Sequence, residues 1–169
     1  LLATFVSVGY AQAPAKFASG TGTLMYIGLG IGLPLLRDGD RGWDHSLRAF
    51  DAAATSFLLT EGLKRLTRAR RPKGEGHDAF PSAHAAVTFS IAAVQSDFRP
   101  NEALLWYGGA AAIAQSRLSL EKHTESQGAA GGMLGFGVAH WEQSSPRGLL
   151  IAPFVTRKGG FGLRLGGSF

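Results

Sequence analysis

Three short clusters between Lys64 and Gln127 hold the residue types best suited to chemistry: Lys64 with Arg71-Pro72, then Pro81-Ser82-Ala83-His84, then Ser116-Arg117 followed by His123. Cations and imidazoles in this mixture suit a phosphate group. A phosphoryl group nearing its transition state carries charge on several oxygens at once, and fixed Lys and Arg side chains match that charge. An imidazole can exchange a proton with such a group, or attack phosphorus itself when its other ring nitrogen is held as a donor. No cysteine chemistry, glycine-rich nucleotide loop or serine elbow competes with these clusters.

Each cluster also has a plainer reading. Lys64 and Arg71 lie about two helical turns apart and can share one helix face. Yet Arg65, Arg68, Arg70 and Lys73 crowd the same stretch, and such a run is equally a solvated face or a lipid-headgroup contact. Ser82 can donate to an anion at a helix N-terminus, where backbone N–H groups are unpaired and the dipole favours negative charge. It can also be a simple helix cap, with His84 an ordinary surface residue. Gln127, four residues after His123, can accept from the imidazole. Alternatively, Thr124-Glu125-Ser126-Gln127 reads as a capping box.

The elements that must carry these residues read as helices. Thr23–Leu36 is apolar but weakened by glycines, and Asp38–Gly42 has turn chemistry. From Ser46 to about Arg70 the apolar positions Leu47, Phe50, Ala54, Phe57, Leu58, Leu63 and Leu66 recur at helical spacing. Pro72 disfavours helix at Arg71. Ser82 caps a predicted helix through Val94, Asn101 caps one over Glu102–Ser116, and Ser126–His140 forms another. Leu149–Val155 and Phe161–Leu165 flank Arg157-Lys158-Gly159-Gly160 and predict a small β-hairpin.

The 169 residues suit one domain, with 45% hydrophobic and 17% charged residues. The absence of cysteine excludes a disulfide framework and thiolate metal sites. A net charge of +5 points to anionic partners. Residues 1–13 are apolar and end Ala11-Gln12-Ala13, which reads as the remnant of a secretory signal or as an ordinary apolar segment. The division expected is thus 1–13, a helical domain over 14–145, and a hairpin tail over 146–169. The uncharged window Ser19–Leu36 carries five glycines and Pro34, so a soluble or membrane-apposed domain is expected rather than an integral one. Nucleic-acid binding through Arg65–Lys73 lacks a recognised fold or an aromatic stacking surface.

Read jointly, Lys-x6-Arg-Pro, Pro-Ser-x-His and Ser-Arg-x5-His resemble the signature of the type-2 phosphatidic acid phosphatase superfamily, which includes bacterial acid phosphatases and vanadium haloperoxidases. The resemblance implies an all-α bundle of that type. It implies that Lys64, Arg71 and Arg117 bind phosphate oxygens, with Ser82 and the backbone N–H of Ala83. It further implies that His123 forms a phosphohistidine and that His84 serves as general acid and base. No metal or other cofactor is implied, and the substrate would be a phosphomonoester, lipid-linked or soluble, met outside the cytoplasm. Two positions depart from the pattern: Ala83 stands where glycine is usual, and Gln127 where aspartate is usual. Glutamine accepts the same hydrogen bond but brings no charge. In a Ser-His-Asp triad, loss of the carboxylate lowers turnover about 10⁴-fold, so weakened catalysis is expected. The alternatives are a phosphoanion-binding homologue with impaired turnover and, less favoured for so short a chain, a vanadate-dependent haloperoxidase.

Overall fold

A computed structural model of the chain describes residues 12–74, 76–145, 151–155 and 161–165. Five α-helices make the body: α1 Thr23–Arg37, α2 Gly42–Thr67, α3 Ala83–Phe98, α4 Ala103–Ser119 and α5 Glu125–Ser144. The expected all-α bundle is therefore present. Strands β1 (Ile151–Val155) and β2 (Phe161–Leu165) pair antiparallel, Ile151 opposite Leu165 and Val155 opposite Phe161. The glycine turn expected between them lies outside the described residues, as do residues 1–11 of the signal-like segment.

Helix α3 is the axis of the bundle. Its small residues Ala85, Ala86 and Ala92 are fully buried, together with Ile91 and Val94. Small side chains on α3 and glycines on its neighbours let backbones approach closely. A Cβ on Gly131 of α5 would stand 2.3 Å from the Ser82 carbonyl oxygen, and one on Gly135 2.0 Å from that of Ala86. The contacts advance together along both chains, so α5 runs parallel to α3. On another side, a Cβ on Gly30 of α1 would meet Ile91 Cγ2 at 2.3 Å, and buried Gln95 donates to the Gly30 carbonyl at 2.5 Å. Tyr26 pins α1 further: its hydroxyl donates to Trp106 O at 2.8 Å, and the two rings meet edge to face at 5.4 Å. Helices α2 and α4 run the opposite way, so their C-terminal ends meet the N-terminal end of α3.

Several boundaries differ from the sequence-based expectation. Helix α2 begins at Gly42, following a 3₁₀ turn over Gly39–Arg41. It stops at Thr67 because Arg68 is left-handed (φ 46°) and returns its N–H to Lys64 O at 3.0 Å. Arg71 thus leaves the helix that carries Lys64 and sits in the loop beyond. Asn101 does not cap α4. It lies within the 3₁₀ turn Pro100–Glu102, and α4 follows Glu102 with no side-chain cap.

Helical backbone extends from α1 back through a π-helical turn, Ala18–Gly22, to Gln12. Gln12–Arg37 is long and apolar enough to cross a membrane, and little of it is buried. Leu24, Leu36, Leu66, Leu104, Leu105 and Met133 are each at least 70% exposed.

Candidate active site

The site forms where the N-terminal end of α3 meets the C-terminal ends of α2 and α4. Ser82 caps α3, its Oγ accepting the Ala85 N–H at 3.5 Å. The Ser82 N–H donates to Gln127 O at 3.0 Å, so the second motif is tied to the first turn of α5. Ala83 opens the helix. Left-handed non-glycine residues among those described are Arg68 and Glu121 only, so alanine is unstrained where glycine is usual.

Helix α3 thereby presents His84 beside Arg117 from the last turn of α4. The imidazole is pushed down to about 4, first by burial and then by Arg117, with His123 and Lys64 adding to the effect. A bond to the Ser19 backbone opposes the shift. His123, in the α4–α5 loop, is 5% exposed. Burial lowers its pKa most, and Arg117, Arg71 and Lys64 lower it further, against a raising bond from Ala79. The fields of the same three cations reach His123, and those of Arg117 and Lys64 reach His84. The two imidazoles also feel each other. All five groups share one neighbourhood.

The tautomer of His123 follows from its partner. Nδ1 lies 2.9 Å from the Ala79 carbonyl oxygen, and a carbonyl can only accept. Nδ1 therefore carries the proton and Nε2 keeps its lone pair. Gln127 does not make this bond. Its Oε1 accepts the Thr124 N–H at 3.0 Å, its own N–H donates to Thr124 Oγ1 at 3.4 Å, and its Nε2 donates to Arg70 O at 3.5 Å. The capping-box geometry is complete, and the acceptor facing His123 is Ala79.

The cations are unequally satisfied. Lys64 Nζ pairs with Glu61 at 2.6 Å, and Arg71 grips Asp78 through two bonds of 2.8 Å. That grip holds the Asp78 carboxyl down at about 2. Arg117 is different. Among the described residues it faces no carboxylate, its buried Nε has no hydrogen-bond partner, and burial and Arg71 both lower its pKa. Among the described residues its side-chain partner is Ser19 Oγ, which accepts from Nη1 at 2.5 Å.

Spaces border this cluster. A cavity of about 690 Å³ is lined by Glu61, Lys64, Arg65, Arg68, His77 and Asp78. An apolar groove of about 630 Å³ runs between α4 and α5, past Tyr107, Met133 and Phe136 to Leu118, Glu125 and Gly128. Leu118 follows Arg117 directly, and Glu125 is two residues after His123.

The motif residues thus converge, except that Gln127 turns to the helix cap. Sequence reasoning missed Ser19, Ala79, Glu61 and Asp78. Glu61 stands three residues before Lys64, a spacing that signals a pair on a helix. The Ala79 carbonyl, as backbone, leaves no signal in residue type.

This fold and site define an all-helical protein whose cationic cage surrounds two imidazoles and suits a tetrahedral oxyanion. Residues 56–147, more than half the chain, match the model of the PAP2 superfamily, and the chain belongs to that superfamily. It is thereby a phosphatase-type protein with a phosphate ester as its substrate class. No curated protein and no solved structure matches the chain.

Proposed function

We propose that the protein is a phosphomonoesterase that works through a phosphohistidine on His123. The observation that carries this reading is the His123 ring, with Nδ1 committed to Ala79 O and the Nε2 lone pair left free among three cations. Lys64, Arg71 and Arg117 bind the phosphate oxygens, with Ser82 and the Ala83 N–H at the start of α3. His123 Nε2 attacks phosphorus while the P–O bond to the organic group breaks. His84 gives its proton to the departing alkoxide. It then takes one from water as that water displaces His123 and releases phosphate.

His84 is neutral in the empty cage near neutral pH, because burial and Arg117 disfavour its charged form. An arriving anion reverses that field. Proton uptake therefore accompanies binding and arms the general acid.

A lipid phosphate is the favoured substrate. The apolar groove ends beside Arg117 and His123 in the chain, where it can take an acyl chain whose phosphate sits in the cage. The exposed leucines and the long apolar N-terminal helix suit contact with a membrane surface, and the signal-like reading of residues 1–13 supports an extracytoplasmic location. Phosphate release from phosphatidic acid and from p-nitrophenyl phosphate should be insensitive to EDTA and abolished by His123→Ala. Turnover surviving His123→Ala overturns the mechanism.

A second reading is favoured by the neutral partner of His123. A carbonyl orients the ring but does not stabilise its cation as a carboxylate would. On this reading the cage binds a phosphoanion with little turnover. Tight vanadate binding with negligible hydrolysis of every ester tried would select it.

A further inference from the structure

The N-terminal segment lies outside the matched family core, which starts at residue 56, yet it reaches into the site. Ser19 touches two of its members. Its Oγ accepts from Arg117 Nη1 at 2.5 Å, and its backbone carbonyl bonds His84. No other side chain among those described bonds Arg117, whose Nε is buried and unpartnered.

The local backbone is built for this reach. Ala18–Gly22 is a π-helical turn, a device that re-aims side chains and is frequent at functional sites. Across the wider turn the buried Thr23 hydroxyl donates to the Ala18 carbonyl at 2.8 Å. Gly22 fits closely, since a Cβ there would stand 3.1 Å from Phe17 O. Beyond the turn, Tyr26 fixes α1 through Trp106 O and Thr88 O. The register of Ser19 against α3 and α4 is therefore set by packing two helical turns away.

We propose that Ser19 is a positioning residue of the phosphate site, holding Arg117 so that its remaining N–H groups face the bound anion. This rests on the phosphate reading above. A guanidinium freed from its one anchor must be ordered by the ligand itself, and that cost appears as weaker anion binding. A hydrogen bond to a charged group is worth about a tenfold change in an equilibrium constant or somewhat more.

The test uses the full chain as wild type, Ser19→Ala and Ser19→Thr. Vanadate affinity is measured by calorimetry, p-nitrophenyl phosphate hydrolysis in the steady state, and melting temperature alongside. Ser19→Ala should weaken vanadate about tenfold and raise KM by a similar factor, with a smaller change in kcat. Ser19→Thr, which keeps the hydroxyl, should recover most of both. If Ser19 only docks the N-terminal helix, Ser19→Ala lowers the melting temperature and leaves vanadate affinity unchanged, which overturns the proposal. Equal weakening in the Ala and Thr variants overturns it too. A wild-type chain that binds no vanadate and hydrolyses no ester instead sinks the phosphate reading itself, so the two failures are told apart.

Discussion

The two ends of α3 both contain ion pairs, Lys64 with Glu61 and Arg71 with Asp78 at the N-terminal end, but they differ in the charge left over. At its C-terminal end the charges are matched. Arg99 pairs with Asp38, whose other oxygen bonds His45 at 2.7 Å, and His45 stacks on Phe98 at 3.8 Å. Nearby, Arg37 bonds Glu102 at 2.5 Å and Arg48 meets the buried Glu142 at 3.5 Å. At its N-terminal end Arg117 faces Arg71 with no carboxylate of its own among the described residues, and both imidazoles are pushed toward neutrality. One end closes its arginines on carboxyl groups. The other holds like charges in place by the packing around them, an arrangement that becomes favourable once an anion arrives.

Exchanging an arginine for methionine at each end should break this contrast most sharply. Arg117→Met removes a cation aimed at developing negative charge, and turnover should fall by about 10²–10³-fold. Its melting temperature without anion should not fall much, since the lost charge was buried beside Arg71; added phosphate should then stabilise wild type but not the variant. Arg99→Met should do the reverse. It takes the cation from Asp38, whose side chain is 9% exposed and keeps His45, at a cost of about 3 kcal/mol, or about 10 °C in Tm for a chain of this length. Vanadate affinity should stay near wild type. If Arg99→Met weakens vanadate as much as Arg117→Met does, the two ends are not separate systems.

This division was only partly legible in the sequence. The motif residues were, because Lys, Arg, Ser and His in fixed spacing carry their chemistry in their side chains. Ser82 was legible as a cap, and the five helices as apolar periodicity. Arg71 was misplaced on the helix of Lys64 because Pro72 marks a limit, whereas the chain turns earlier at left-handed Arg68. Asn101 was given a cap because its type favours one, but Pro100 fixes a 3₁₀ turn there first. Ser19 and the Ala79 carbonyl were invisible for a different reason: their roles arise from which helices pack together, and no local pattern records that. The matched charges at the far end join residues as distant as Arg48 and Glu142, and likewise appear only on folding.

The two ends should also respond to pH with opposite sign. At the site, His84 is lowered to about 4 from an ordinary 6.5, so the fold favours its neutral form. That stability is present above pH 6.5 and is lost as pH falls toward 4. At the far end Glu142 is fully buried and its pKa is pushed up to about 8, first by burial; Arg48 pulls it down, and Asp51 and Asp44 push it up against that pull. A raised carboxyl favours the protonated form, so its contribution is complete below pH 4.5 and is lost as pH rises through 8. Denaturant melts across pH should therefore show Glu142→Gln more stable than wild type above pH 8 and similar to it near pH 4. His84→Asn should flatten the acid limb between pH 6.5 and 4 and leave the alkaline limb alone. Identical limbs in wild type and Glu142→Gln would show that Glu142 ionises in the fold as it does in the unfolded chain.

The smallest effect is expected from Gln127→Asp, although the position is the most conspicuous departure in the motif. Gln127 is the third residue of α5, and its amide closes a reciprocal cap with Thr124 while reaching Arg70 O. A shorter aspartate gives up the Arg70 contact and part of the cap. Its charge near the helix N-terminus offsets some of that loss, leaving a net cost of about 0.5–1 kcal/mol. Catalytically it arrives at a ring whose Nδ1 is already taken by Ala79 O, so it has no proton to accept unless the α4–α5 loop moves. Turnover should change by less than about tenfold in either direction, measured as kcat on p-nitrophenyl phosphate. A larger gain would mean that the charge of a carboxylate is what the site lacks, and that a carbonyl holding the correct tautomer does not substitute for it. The same result would move the native chain toward the binding-without-turnover reading and would make the two ends of α3 alike in needing a carboxylate to complete them.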